Sequence, residues 1–212
     1  KFVFNSIFIV AFSVLLMTVP GVAKQDPPET PPTQNPFVWE TMISNFNSLT
    51  DPGKTYVEIT MSALNGQFKF VQREDNNYYA FLQYDVEIKG KADNPLDSQS
   101  WQRVIKVVDP VESEKFSSLE IAKFLIDPGT YGLNIKLTDL YDKQSVSVPS
   151  VLSIPRFPSS IISMSDIQFA SNIKAAAEDN DFVKHGAYYV EPFPTRVYSN
   201  TKPMMFFYTE VY

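Results

Sequence analysis

The sequence has no cysteine, one histidine and only seven glycines in 212 residues. Without Cys there is no thiol nucleophile, no disulfide framework and no zinc site built on thiolates. His185 is the sole imidazole, so multi-histidine metal sites are excluded and any Ser-His-Asp triad has to use that one residue. The scarcity of Gly argues against a phosphate-cradling loop, and no Walker or dinucleotide fingerprint occurs; no cofactor is expected. Basic clusters are also missing. With 18 Lys and Arg against 24 Asp and Glu, the net charge of -6 gives no footprint for nucleic acid. An exported chain without disulfides must draw its stability from a packed core of respectable size.

The N-terminal stretch points to export. Lys1 is a positive flank, residues 2–19 are dominated by Phe, Ile, Val, Leu and Met, and Pro20-Gly21 breaks any helix. Gly21 and Ala23 are the small residues of a cleavage site, so residues 1–23 read as a secretory signal peptide cut after Ala23. The expected location is the periplasm, the cell surface or outside, with no stable membrane anchor left after cleavage. No Cys follows the apolar run, which excludes a bacterial lipoprotein. The chain opens on Lys1 rather than Met, and the expectation is of a fragment at this end.

Residues 24–36, KQDPPETPPTQNP, have the proline density of an extended spacer. Residues 37–49 carry Trp39, Met42, Ile43, Phe46 and Leu49 at helical spacing, but Asn45, Asn47 and Ser48 are weak helix formers. The stretch 24–53 is therefore read as a tether plus an edge segment, a short helix or irregular chain. From Thr55 the period becomes two. Val57, Ile59 and Met61 alternate with Glu58 and Thr60, and Asn65-Gly66 is the pattern of a type I′ hairpin turn. Tyr78, Ala80, Leu82, Tyr84, Val86 and Ile88 line one face of a long strand, and Trp101, Arg103, Ile105 and Val107 another. Residues 122–126, 130–140 and 146–154 complete about seven strands, the last kinked at Pro149. The fold class is all-β, an immunoglobulin-like β-sandwich over 54–157. Asp127-Pro128-Gly129-Thr130-Tyr131 places Tyr131 where a structural tyrosine corner forms.

Several segments occur together in order: Asp127-Pro128-Gly129-Thr130-Tyr131, Ile154-Pro155-Arg156-Phe157, the seven residues 164–170 (MSDIQFA), Val190-Glu191-Pro192-Phe193-Pro194 and the closing seven, 206–212 (FFYTEVY). This succession resembles the region upstream of the C-terminal domain in bacterial GWxTD-domain-containing proteins, over roughly residues 54–212. The resemblance implies an exported bacterial protein and transfers no functional residue; the naming motif is absent here. It also sharpens the reading of 158–212 as the start of a second, truncated β-domain. From the number of strands in each segment, 54–157 is expected to fold alone and 158–212 is not.

Candidate sites are few. His185, in Lys184-His185-Gly186, is expected to be an exposed loop residue. Glu178, Asp179 and Asp181 form the densest acidic stretch; calcium binding stays open there, although the glycine and distal glutamate of a calcium loop are missing. Tyr78, Tyr79, Phe81, Tyr188 and Tyr189 are candidate ring platforms. Tyr79 and Phe81 share the face opposite Tyr84 and are singled out as ligand or interface aromatics. No catalytic or metal residue is assigned. The expected function is a non-enzymatic extracytoplasmic module for protein interaction or structural spacing. The alternative is a carbohydrate-binding accessory domain of a larger secreted enzyme.

Overall fold

The computed structural model describes residues 37–198 and 204–212. The signal peptide and the proline-rich spacer expected over 1–36 lie outside the described residues. The described residues form one compact unit. No helix among the described residues is long and apolar enough to cross a membrane.

The fold is all-β and sandwich-like, in three antiparallel sheets. The first joins β1 (Trp39–Asn47), β2 (Thr55–Leu64) and β6 (Ser117–Ile126) in the order β1-β2-β6. The second is centred on β4 (Tyr78–Lys89), with β5 (Pro95–Val107) along one edge. The other edge of β4 takes the short β3 (Val71–Gln72) and then β7 (Gly129–Asp139), beyond which lies β8 (Ser145–Ile154). The third has the order β10 (Val183–Lys184), β11 (Tyr188–Pro192), β9 (Gln168–Ala175), β12 (Phe206–Tyr208).

Period-two alternation places the core. Val57, Ile59 and Met61 of β2 and Phe124 of β6 face Leu82, Tyr84 and Val86 of β4 and Ile135 and Leu137 of β7, all buried. Each such side chain contributes about 1.5–3 kcal/mol through burial. The opposite face of β2 is also covered. Glu58 and Thr60 are buried there, because Gln168 of β9 and Lys184 of β10 reach Glu58 and bond its carboxylate. Phe46 of β1 meets Tyr208 of β12, ring centroids 6.0 Å apart.

Three local expectations need correction. Residues 39–47 are strand, paired with β2 from Trp39↔Ala63 to Asn47↔Thr55. The helical spacing misleads because both faces of β1 are packed: Ile43 leans on the core while Met42 and Phe46 turn to the other side. Such strands lose the simple in-out alternation. Asn65-Gly66 makes no hairpin. It opens a single 3-10 turn (Asn65–Gln67), after which the chain crosses to the second sheet. Asn65 is buried and bonds Ser113 and Ser118. Gly66 is needed for close approach rather than for a positive φ, since a Cβ there would sit 3.0 Å from Glu114. Finally, Pro149 does not interrupt β8, whose register with β7 runs unbroken from Gly129↔Ile154 to Thr138↔Ser145. β8 is an edge strand, where a missing N–H costs no ladder bond.

At the corner before β7, Tyr131 Oη donates to the Asp127 carbonyl at 2.9 Å. Gly129 has no Cβ, and one built there would meet the Tyr131 ring at 3.1 Å, so glycine lets the ring fold back over its own turn. Tyr131→Phe removes one partly exposed bond with little change of volume, for an expected loss of about 0.5–1 kcal/mol. Chemical denaturation checks it; an unchanged midpoint would make Tyr131 an ordinary ring.

Candidate functional site

The two open sides of the sandwich differ. On one side the edges of β5 and β6 border a groove of about 660 Å³, and side chains stitch it. The Gln99 amide bonds both the N–H (3.2 Å) and the carbonyl of Lys123, occupying the β6 edge. Trp101 Nε1 donates to the buried Glu120 at 2.8 Å, and Arg103 pairs with the same carboxylate. Trp101 also stacks on Tyr84, centroids 5.5 Å apart.

On the other side, β1 and β8 border a slot of about 340 Å³ with no such stitch among the described residues. Its floor is apolar: Ile43 of β1, Leu133 and Ile135 of β7, and Val148 of β8, with Arg196 at the rim. In an antiparallel pair, alternate residues turn their backbone groups away from the partner strand. On β1 these are Trp39, Thr41, Ile43, Asn45 and Asn47. The chain itself uses the last two. Asn45 N–H donates to Asp166 Oδ2 at 2.9 Å, its carbonyl accepts from the Asp166 N–H at 3.0 Å, and Asn47 N–H donates to Tyr212 Oη at 2.9 Å. Trp39, Thr41 and Ile43 have no such partner among the described residues. An edge already accepting extended chain thus continues alongside an apolar floor, unpaired among the described residues.

The residues singled out from sequence fall elsewhere. Tyr79 and Phe81 lie side by side on the outer face of β4, centroids 6.3 Å apart. Both rings are capped by the protein's own cations, Lys106 over Tyr79 at 5.4 Å and Arg73 over Phe81 at 5.3 Å. Tyr79 Oη donates to Asp75 at 2.6 Å. That bond, with Lys106 and Asn77, holds the Asp75 carboxyl far below the usual carboxylate range. A sugar stacking here has to displace both cations. Tyr131 lies at the corner described above, two residues before the slot-floor Leu133 on β7, and is not among the residues that line the slot. His185 is exposed, in a turn with φ +50°, and its Nε2 lies 2.8 Å from Glu210 Oε1. Of the acidic stretch, Asp181 pairs with Lys123 at 3.3 Å. Among the described residues no three His, Asp or Glu gather as a metal site would require.

Sequence reasoning missed the slot and the charges behind β2. Glu58 reads as a solvent-face residue of an alternating strand, yet it is 1 % exposed, and Lys184 is 5 % exposed. The one available signal was the absence of any apolar partner face for Phe46 and Met42. No family model matches the chain, and no curated protein or solved structure matches it either.

Proposed function

We propose that this protein is a non-enzymatic extracytoplasmic module whose β1–β8 slot binds an extended segment of a partner protein by strand addition. The observation that carries the reading is the backbone row of Trp39, Thr41 and Ile43, unpaired among the described residues, beside the apolar floor. Main-chain bonds supply affinity in this mode, and alternate side chains entering the floor supply specificity. Pro149 discourages addition to β8, so β1 is the receiving edge. Arg196, which makes no salt bridge with a described residue, favours an acidic residue in the incoming strand. Export rests on the pattern of residues 1–23, and kinship with the GWxTD-domain proteins on the segments named above. An immunoglobulin-like assignment is supported by a three-stranded sheet facing a five-stranded one and by Tyr131 bonding back to Asp127 across the corner that leads into β7.

The test uses a soluble nonapeptide alternating valine with threonine and carrying one glutamate. Amide exchange at Thr41 and Ile43 is expected to slow at saturating peptide. Thr41→Pro deletes an outward N–H that β2 does not use, so it is expected to abolish binding while leaving the melting temperature nearly unchanged. Unprotected Thr41 and Ile43 amides in the presence of peptide, or sedimentation as a dimer through this edge, would sink the reading. Sugar binding on a glycan array, lost on Tyr79→Ala or Phe81→Ala, would favour the accessory-domain alternative.

A further inference from the structure

A third cavity, a cleft of about 390 Å³, opens between the first and third sheets, lined by apolar side chains together with polar and charged ones. Phe46, Tyr56, Leu125 and Val183 form its walls, with Glu58, Lys184, His185 and Glu210 among them. Its chemistry is already displayed by the protein's own Lys184. That ammonium bonds Glu58 Oε2 and lies 4.8 Å over the Phe46 ring and 5.8 Å from the Tyr208 ring. A carboxylate flanked by aromatic faces is what an ammonium needs when it leaves water.

Two further observations show that the cleft has room for a second cation. Glu58 is almost fully buried and spends only Oε2, on Lys184 and on Gln168 at 2.8 Å. No described residue bonds its Oε1, although Glu58 lines the cleft. Across from it, Glu210 is surrounded by neutral or aromatic donors. Tyr208 reaches Oε1 at 2.8 Å, Tyr212 reaches Oε2 at 2.7 Å, and His185 reaches Oε1 at 2.8 Å. Lys184 offsets one of the two carboxylates and leaves the lining with one excess negative charge when His185 is neutral. The same field acts on Tyr56. Burial raises its hydroxyl well above the ordinary tyrosine value, and Glu58, Asp181 and Glu210 raise it further.

We propose that this cleft binds an organic amine, a single ammonium on a short apolar body. The ammonium faces Glu58 Oε1 and Glu210, and the apolar body lies against Phe46, Tyr56 and Leu125. The site is distinct from the β1–β8 slot and stands or falls separately.

The probes are phenethylamine, its neutral counterpart 2-phenylethanol and the anion 3-phenylpropionate, each titrated into the full chain with amide shifts followed by NMR. Phenethylamine is expected to shift the Val183 and His185 amides saturably. The alcohol should bind at least about tenfold more weakly, the effect of losing one charge-assisted bond, and the anion should not bind. Glu210→Gln keeps one acceptor oxygen, for one of the two tyrosines, and removes the charge; it is expected to weaken the amine about tenfold. Leu49 is 68 % exposed at the rim, so Leu49→Lys should leave the fold intact and weaken the amine by placing a competing ammonium beside it. Equal binding of amine and alcohol, no saturable shift with the amine, or an unchanged amine affinity in folded Leu49→Lys would each overturn the proposal.

Discussion

Lys184→Met is expected to destabilise the protein by about 3–5 kcal/mol, the usual cost of stranding one member of a buried ion pair. Glu58 and Lys184 are both buried between sheets, and the lysine is the only cationic partner of Glu58 among the described residues. Burial pushes the Lys184 amine below the ordinary lysine value, while the Glu58 charge pulls it back up. The pair is held together against a desolvation cost, so removing one side leaves the other uncompensated. Glu58→Gln with Lys184→Met together should recover most of the loss, since the new side-chain amide oxygen can still accept the Gln168 amide. Urea denaturation of both single variants and the double decides it. A Lys184→Met loss below about 1 kcal/mol, or a double variant no better than Lys184→Met, would show that the pair does not carry the interface.

The fragment 54–157 is expected not to melt cooperatively, whereas 37–212 should. Starting at 54 removes β1, which pairs with β2 along nine residues, from Trp39 to Asn47. Stopping at 157 removes Gln168 and Lys184 and leaves Glu58 facing water from a surface built to be covered. It also exposes Thr60, now fully buried. Apart from Phe37, the buried sandwich core stays within 54–157, which is why that segment looks self-sufficient on alternation alone. Amide dispersion and a thermal melt of both pieces test this. A dispersed spectrum with a cooperative transition for 54–157 would mean that β1 and the third sheet are dispensable.

The sequence was most legible where one face of a strand meets the core and the other meets water. β4 and β7 are of that kind, and Tyr78–Lys89 and Gly129–Asp139 fall where the alternation of Leu82, Tyr84, Val86 and of Leu133, Ile135, Leu137 puts them. It was least legible where a strand is covered twice. In β1, Met42, Ile43 and Phe46 point to two different layers, and their sum imitates a helix. In β2, Glu58 looks solvated because its partners, Gln168 and Lys184, lie more than a hundred residues away in sequence. The β1–β8 slot was hidden for a different reason. A slot of this kind depends on which strands end up at the edges, and edge position follows from topology, not from local pattern. The Asn65-Gly66 misreading is of the same sort, since the turn chemistry was plausible and the crossover to the second sheet overruled it.

The double coverage of β2 sets an order of events for folding. β2 lies between β1 and β6, and its two faces await strands from residues 78–154 and from residues 168–184. A chain emerging from its N-terminal end therefore holds its future central strand unsatisfied until almost everything after it has emerged. Pairings that distant are slow to form, because loop closure is paid before contacts reward it. While it waits, β2 offers a long, partly apolar edge to any neighbouring chain. The charged and hydroxyl side chains on its second face, Glu58 and Thr60 above all, keep that waiting strand from being apolar on both sides.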